Sequence, residues 1–207
     1  MAKALLSKGE RTKQFVVEKA AALFNQRGYE AASLSELMEL TGLGKGGLYR
    51  HFESKQELQL LAFEHAVEQM RARFQREFER RSGAVEHLRG IIFVYSKIPS
   101  DPPVPGGCPL LNASVESDDG DPELRARARR VMDQLKRTVA RLVREAQKER
   151  ALVASVEPTE FAEVLIATLE GGVMLSKLYG SDGPMKQVVR HLDAWMASLG
   201  PESPRKC

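Results

Sequence analysis

The sequence predicts an all-α protein, and three observations carry that prediction. Leu, Ala, Glu and Arg are abundant while only 6% of residues are aromatic, a balance that favours helices over sheets. Apolar residues recur at helical spacing, as in Phe63, Val67, Met70, Phe74 and Phe78. No convincing alternation of apolar and polar residues marks a strand. The expected architecture is roughly nine helices, three in an N-terminal head and six in a body.

Each helix has its own signals. Residues 1–9 read as a loose basic tail, and a first helix runs from about Glu10 to Arg27, with Val17, Ala20, Ala21 and Phe24 on one face. Gly28 stops it. Ser33 and Glu36 form a capping box that opens a second helix, with Leu34, Leu37 and Met38 inward. Gly42 makes a turn, and a third helix spans about Lys45 to Phe52 with Leu48 and Phe52 inward. Ser54 and Glu57 form a second capping box, starting a long helix to about Arg81. A fifth helix fits Ala84 to Ile98. The run Pro99-Ser-Asp-Pro-Pro-Val-Pro-Gly-Gly is a loop by composition. Cys108 to Ser117 reads as a short helix. Asp121 as N-cap and Pro122 at the first position open a long helix to about Arg150. Its stripe is Leu124, Ala128, Val131, Leu135, Val139, Leu142 and Ala146, and its many arginines read as the solvated opposite side. Pro158 opens a helix that ends near Tyr179-Gly180, and Ser181 or Asp182 caps a last one to about Leu199.

The segment Gly28 to Lys55 is the most informative. Two short helical patterns meet at Gly42, and the second carries Lys45, Tyr49, Arg50 and His51. A tight turn followed by a short helix with an exposed polar side is what a helix-turn-helix needs to reach phosphates and base edges. A formal net charge of only +3 over 207 residues means that DNA binding must come from this local patch.

Composition excludes several classes. The four histidines, His51, His65, His87 and His191, show no metal-ligand spacing, and no phosphate loop or nucleophile elbow is present. No catalytic residue, metal or cofactor is therefore expected. Cys108 and Cys207 do not suggest a disulfide framework, which fits a reducing cytoplasm. The most apolar late stretch, Phe161 to Tyr179, is interrupted by Glu163, Glu170 and Lys177, so no membrane span is expected.

Residues 11–58 resemble the DNA-binding head of the tetracycline-repressor (TetR) family of transcriptional regulators. The likeness is carried by Ala21, Leu23, Phe24, Arg27-Gly28-Tyr29, Ser33, Leu37, Gly42-Leu43, Lys45-Gly46, Leu48-Tyr49-Arg50-His51-Phe52, Ser54-Lys55 and Leu58. Gly106-Gly-Cys-Pro-Leu-Leu-Asn-Ala-Ser-Val-Glu116 is similar to a glycine-cysteine helix of one group of members. The resemblance implies a homodimer with two heads, a palindromic double-stranded operator, and repression released by a small molecule bound in each body. Gly44 and Gly47 depart from the Ser and Thr that members often carry there. Gly47 lowers helix propensity by up to about 1 kcal/mol and removes a hydroxyl from the contact face.

The expected domains are a head at 1-55, a ligand-binding and dimerisation body at 56-200, and a disordered tail at 201-207. The expected DNA contacts are Ser33, Lys45, Gly46, Tyr49, Arg50, His51 and Lys55. Lys45, Tyr49, His51 and Lys55 suit phosphates, and Arg50 suits a base edge; for Ser33, capping alone is an equal explanation. Candidate effector-lining residues are Phe63, Met70, Phe74, Ile91, Tyr95, Cys108, Leu111, Met132, Leu135 and Leu169, each of which also serves as plain core. For the dimer, the helix from Pro158 is apolar on more than one side. Phe161, Leu165, Leu169, Gly172 and Val173, with Val188, Leu192, Trp195 and Met196, are expected to pair with a second copy. Cys108 precedes a helix start that would lower its thiol pKa, giving an oxidant- or electrophile-sensing repressor as an alternative to an inert buried thiol. An alternative of another class is a helical ligand-binding or interaction module that leaves Lys45, Tyr49 and Lys55 idle.

Overall fold

The computed structural model describes residues 7–200. Nine helices and no strand lie among the described residues: α1 (Lys8–Arg27), α2 (Leu34–Thr41), α3 (Lys45–Tyr49), α4 (Lys55–Glu79), α5 (Ala84–Lys97), α6 (Pro109–Glu116), α7 (Pro122–Lys148), α8 (Pro158–Tyr179) and α9 (Gly183–Ser198). The all-α expectation holds. Residues 1–6 of the expected basic tail, and all of the expected disordered tail 201-207, lie outside the described residues.

The element ends follow local chemistry. Helix α1 begins two residues before the expected Glu10, because Ser7 and Glu10 form a capping box of their own. The Ser7 hydroxyl accepts the Glu10 N–H at 3.2 Å, and the Glu10 carboxylate accepts the Ser7 N–H at 2.7 Å. Its buried face runs through Val16, with Val17 only half-buried. Helix α3 stops at Tyr49 rather than Phe52. Pro122 and Pro158 stand in the first turns of α7 and α8, where a missing N–H does no harm.

The chain divides into two compact units, Met1–Gln69 with Pro103–Ala128, and Met70–Pro102 with Arg129–Cys207. Helices α4 and α7 each continue from one unit into the other. In the first unit, α1 packs on α2 and on α6. Its core includes Val16, Ala20, Phe24, Leu37, Leu48, Phe52, Leu58 and Phe63. Tyr29 lies between Phe24 and Phe63, with ring centroids 5.8 and 6.5 Å away.

In the second unit, α8 packs on α9 and both pack on α5. Leu88, Ile91, Tyr95, Leu142, Leu165, Leu169, Val173 and Leu192 form the core. Phe161 stacks on Trp195 with centroids 4.6 Å apart. Gly172 lets α9 approach α8 closely: a Cβ there would lie 3.0 Å from Met185 Cε and 3.1 Å from Val188 Cγ2. No helix among the described residues is long and apolar enough to cross a membrane.

Candidate nucleic-acid interface

Helix α2 begins at Ser33, whose hydroxyl accepts the Glu36 N–H at 3.2 Å and donates to Glu36 Oε2 at 3.0 Å. The Ser33 N–H donates to the same carboxylate oxygen at 2.8 Å. These bonds, the backbone one first, hold the Glu36 carboxyl below the usual carboxylate range. Ser33 is therefore already engaged as a cap.

The turn between α2 and α3 is closed by Gly42, left-handed at φ 68°, whose N–H donates to Met38 O at 2.9 Å. A side chain there would be strained by the backbone alone. Thr41 Oγ1 donates to Leu37 O at 2.7 Å and seals the last turn of α2. Gly44 starts α3 in an extended conformation without a side-chain cap, so its carbonyl serves the N–H groups of Gly47 and Leu48.

Helix α3 is two-faced. Leu48 is 3% exposed and anchors it to the core. Lys45, Gly46, Tyr49 and Arg50 face solvent, with Tyr49 45% exposed. Lys45 Nζ lies 6.0 Å from the Tyr49 ring centroid, so the cation and the phenol share one patch. No Cβ at Gly44 or Gly46 would meet another atom within 4 Å, leaving the backbone open on this side. His51 is half-buried beside Phe52. Lys55 is also half-buried, and its ammonium donates to Glu30 O at 2.9 Å, tying the start of α4 to the turn before α2. Five of the seven expected DNA contacts thus share one short stretch, Lys45 to His51. Ser33 and Lys55 hold the frame around it.

The expected effector residues divide between the two units. Phe63, Cys108 and Leu111 belong to the first; Met70, Phe74, Ile91, Tyr95, Met132, Leu135 and Leu169 belong to the second. Phe63, Met70, Ile91, Tyr95, Cys108 and Leu169 are buried, while Phe74, Leu111, Met132 and Leu135 are half-buried. Phe74 and Tyr95 meet at 6.1 Å between centroids. The Tyr95 hydroxyl donates to Glu170 Oε1 at 3.0 Å inside the second unit. In the sequence Glu170 is only an interruption of an apolar stretch, and its bond to Tyr95 arises in the fold.

The residues expected at the dimer interface are mostly interior to the protomer. Phe161, Leu165, Leu169, Gly172, Val173, Leu192 and Met196 are buried, and Val188 and Trp195 are half-buried. Period 3.6 alone does not say which of two apolar sides of α8 faces its own chain. The other side is exposed: Val164, Ala167, Met174, Leu175 and Leu178. Gly171 is half-buried there, and a Cβ on it would meet nothing within 4 Å.

A helix-turn-helix with an exposed polar α3, carried in an all-helical chain, defines a DNA-binding transcriptional regulator. The comparisons agree. Residues 16–61 match the model described as bacterial regulatory proteins, tetR family. Residues 84–192, more than half of the chain, match the tetracyclin repressor-like C-terminal domain. The chain belongs to the TetR family. A TetR transcriptional regulator from Chloroflexus aurantiacus is 38% identical with a TM-score of 0.90, over 93% of this chain and 97% of that one. A TetR-family regulator from Cytophaga hutchinsonii is 27% identical with a TM-score of 0.87, over 96% and 100%. The transcriptional repressor DhaR of Mycobacterium sp. is 24% identical over 84% of this chain and 87% of its own length.

Proposed function

We propose that this regulator is a homodimeric repressor that a small apolar molecule releases from its operator. The observation that carries the reading is the two-faced α3, with Leu48 buried and Lys45, Gly46, Tyr49 and Arg50 presented to solvent. Lys45, Tyr49 and His51 hold phosphates and Arg50 reads a base edge, while Lys55 and Ser33 stand at helix starts where N–H groups also favour phosphate.

One α3 is too short to select a site, so the reading requires two. The outward side of α8, from Val164 through Gly171 to Leu178, supplies an apolar stripe for a second copy, with Gly171 allowing close backbone approach. In the second unit, Phe74, Met132 and Leu135 offer half-buried apolar surface for an effector, and the Tyr95–Glu170 pair gives it a polar anchor. The effector acts by binding better to the form that does not bind DNA.

The test is selection from a pool of random duplexes by the full-length protein, followed by gel shift. A palindromic site with half-sites about one helical turn apart, or a multiple of it, supports the reading. Failure to enrich any duplex removes it.

A further inference from the structure

A carboxylate on the buried side of an apolar helix is costly, and Glu170 is one. It is 7% exposed on α8, where Ile166, Leu169 and Val173 are buried around it in sequence. An amide or an apolar residue of similar size would not incur the cost of taking a charged group out of water. The Tyr95 hydroxyl of α5 donates to Glu170 Oε1 at 3.0 Å, which brings a hydrogen bond and no positive charge. Glu77 of α4, also buried in the second unit, instead meets the Arg81 guanidinium at 2.7 Å.

The Tyr95–Glu170 pair adjoins an aromatic cluster within the same unit. Phe74 lies 6.1 Å from Tyr95 between ring centroids, and Phe78, one turn further along α4, stacks on Phe74 at 6.4 Å. Phe74 and Phe78 are half-buried, so this cluster is open to solvent on one side. Cations on the same stretches of α4 and α7 are engaged with other groups: Arg71 donates to Gln134, Arg73 to Asp101 and Lys136 to Glu163.

An interior carboxylate beside aromatic rings suits one class of ligand. A protonated amine donates a charge-assisted hydrogen bond to the carboxylate. The ring faces attract the same cation and cover the apolar remainder of the molecule. An alcohol of the same shape gains a neutral hydrogen bond only. A carboxylic acid of that shape meets a like charge.

We infer that the second unit binds an apolar molecule carrying a basic amine, with its ammonium on Glu170 and its apolar body on Phe74, Phe78 and Tyr95, and that this is the effector class. The inference rests on the effector reading above. It assigns Glu170 as the residue that selects the ligand's charge.

The experiment uses the full-length protein and a series of phenylalkylamines of increasing chain length, each matched with the alcohol and the carboxylate of the same skeleton. Binding is read from the rise in melting temperature with ligand concentration, which needs no DNA. The parent is expected to bind its best amine about tenfold or more tighter than the matched alcohol or carboxylate. Glu170→Gln keeps an acceptor for Tyr95 but no charge. It is expected to erase the preference and, without ligand, to melt at the parent's temperature or higher. Tyr95→Phe keeps the carboxylate and loses the hydroxyl, so the preference should survive in it. An alcohol or carboxylate bound by the parent as tightly as its amine would overturn the inference, as would no binding of any amine up to millimolar concentration. So would a preference that persists in Glu170→Gln or that is lost equally in Tyr95→Phe. Release of the duplex selected from the random pool is measured separately. An amine that binds through Glu170 but leaves that duplex bound would remove the effector reading while the ligand site stands.

Discussion

Helices α3 and α8 both turn a face outward, and the two faces are opposites. Helix α3 is a five-residue element whose exposed positions are Lys45, Gly46 and Tyr49, followed by Arg50. Helix α8 has 22 residues and exposes Val164, Ala167, Met174, Leu175 and Leu178. A short cationic face suits a polyanion, whose attraction is electrostatic and salt-dependent. A long apolar face gains by leaving water, and in the dimeric reading proposed above a second copy covers it. In that reading the short face depends on the long one, because a single α3 lacks the contacts to hold a site.

Breaking the α8 face should therefore cause the largest loss. Gly171→Arg places a charge where the protomer leaves open space, so each chain is expected to fold while the dimer dissociates. Sedimentation should show monomer at micromolar concentration, and operator affinity should fall by about 100-fold or more as the second head is lost. Gly172→Ala makes the contrast. Its Cβ would meet Met185 Cε at 3.0 Å and Val188 Cγ2 at 3.1 Å within one protomer. The crowding, about 1 kcal/mol, works against a similar gain in helix propensity, so stability is expected to change little and the dimer to stay intact. A dimeric Gly171→Arg protein would move the interface elsewhere.

The α3 face is sharpened by Lys45→Ala, expected to weaken binding about tenfold on all sequences and to lower the slope of log affinity against log salt by about 1. An unchanged slope would mean that Lys45 touches no phosphate. Gly47→Ala tests the other property of α3. A Cβ there would make ordinary contact with Leu43 Cβ at 3.5 Å, so the helix gains up to about 1 kcal/mol in propensity. Tighter operator binding would show that the free helix is incompletely formed.

The same two faces show how far sequence carried. Ser33-x-x-Glu36, Gly42 and the spacing of Leu48 placed α2, the turn and α3 to within a few residues, because caps and left-handed glycines act locally. Ser7-x-x-Glu10 is an equally local signal, and it starts α1 within the stretch expected as a basic tail. The two sides of α8 were not separable in this way. Both are apolar, and only packing against α5 and α9 decides which is interior. Asn25 and Asn112, and likewise Tyr29 and Glu116, lie 87 residues apart on the chain but are brought together by the fold. No spacing rule connects them. Cys108 is 1% exposed, and a helix start read from sequence does not report that burial.

Tyr29 offers a prediction about the core of the first unit. Its ring is buried between Phe24 and Phe63, and its hydroxyl has no hydrogen-bond partner. Burial first, and the Glu116 charge second, push its phenol pKa well above the usual value, so the group stays neutral at any physiological pH. An unsatisfied buried hydroxyl costs about 1–3 kcal/mol relative to a paired one. Tyr29→Phe removes that group and keeps the ring, so it is expected to raise stability by about 1 kcal/mol, read as a higher melting temperature. Destabilisation would show that the hydroxyl is satisfied by an ordered water.

The smallest effect concerns the cap that opens α2. Hydrogen bonds from the Ser33 backbone, then from its side chain, depress the Glu36 carboxyl. Its folded pKa thus lies below its unfolded one. The contribution to stability is fully present above that unfolded value and is lost as pH falls through the lower, folded one. Glu36→Gln keeps an acceptor for Ser33 but no charge to titrate. The parent protein should lose stability on acidification more steeply than the Glu36→Gln variant, compared by thermal melting from neutral pH down to about 3. Glu36 is half-buried but solvent reaches its carboxylate and screens much of the interaction, so the difference should be slight. Parallel acid profiles would mean that the cap works through its geometry and that its charge adds nothing measurable.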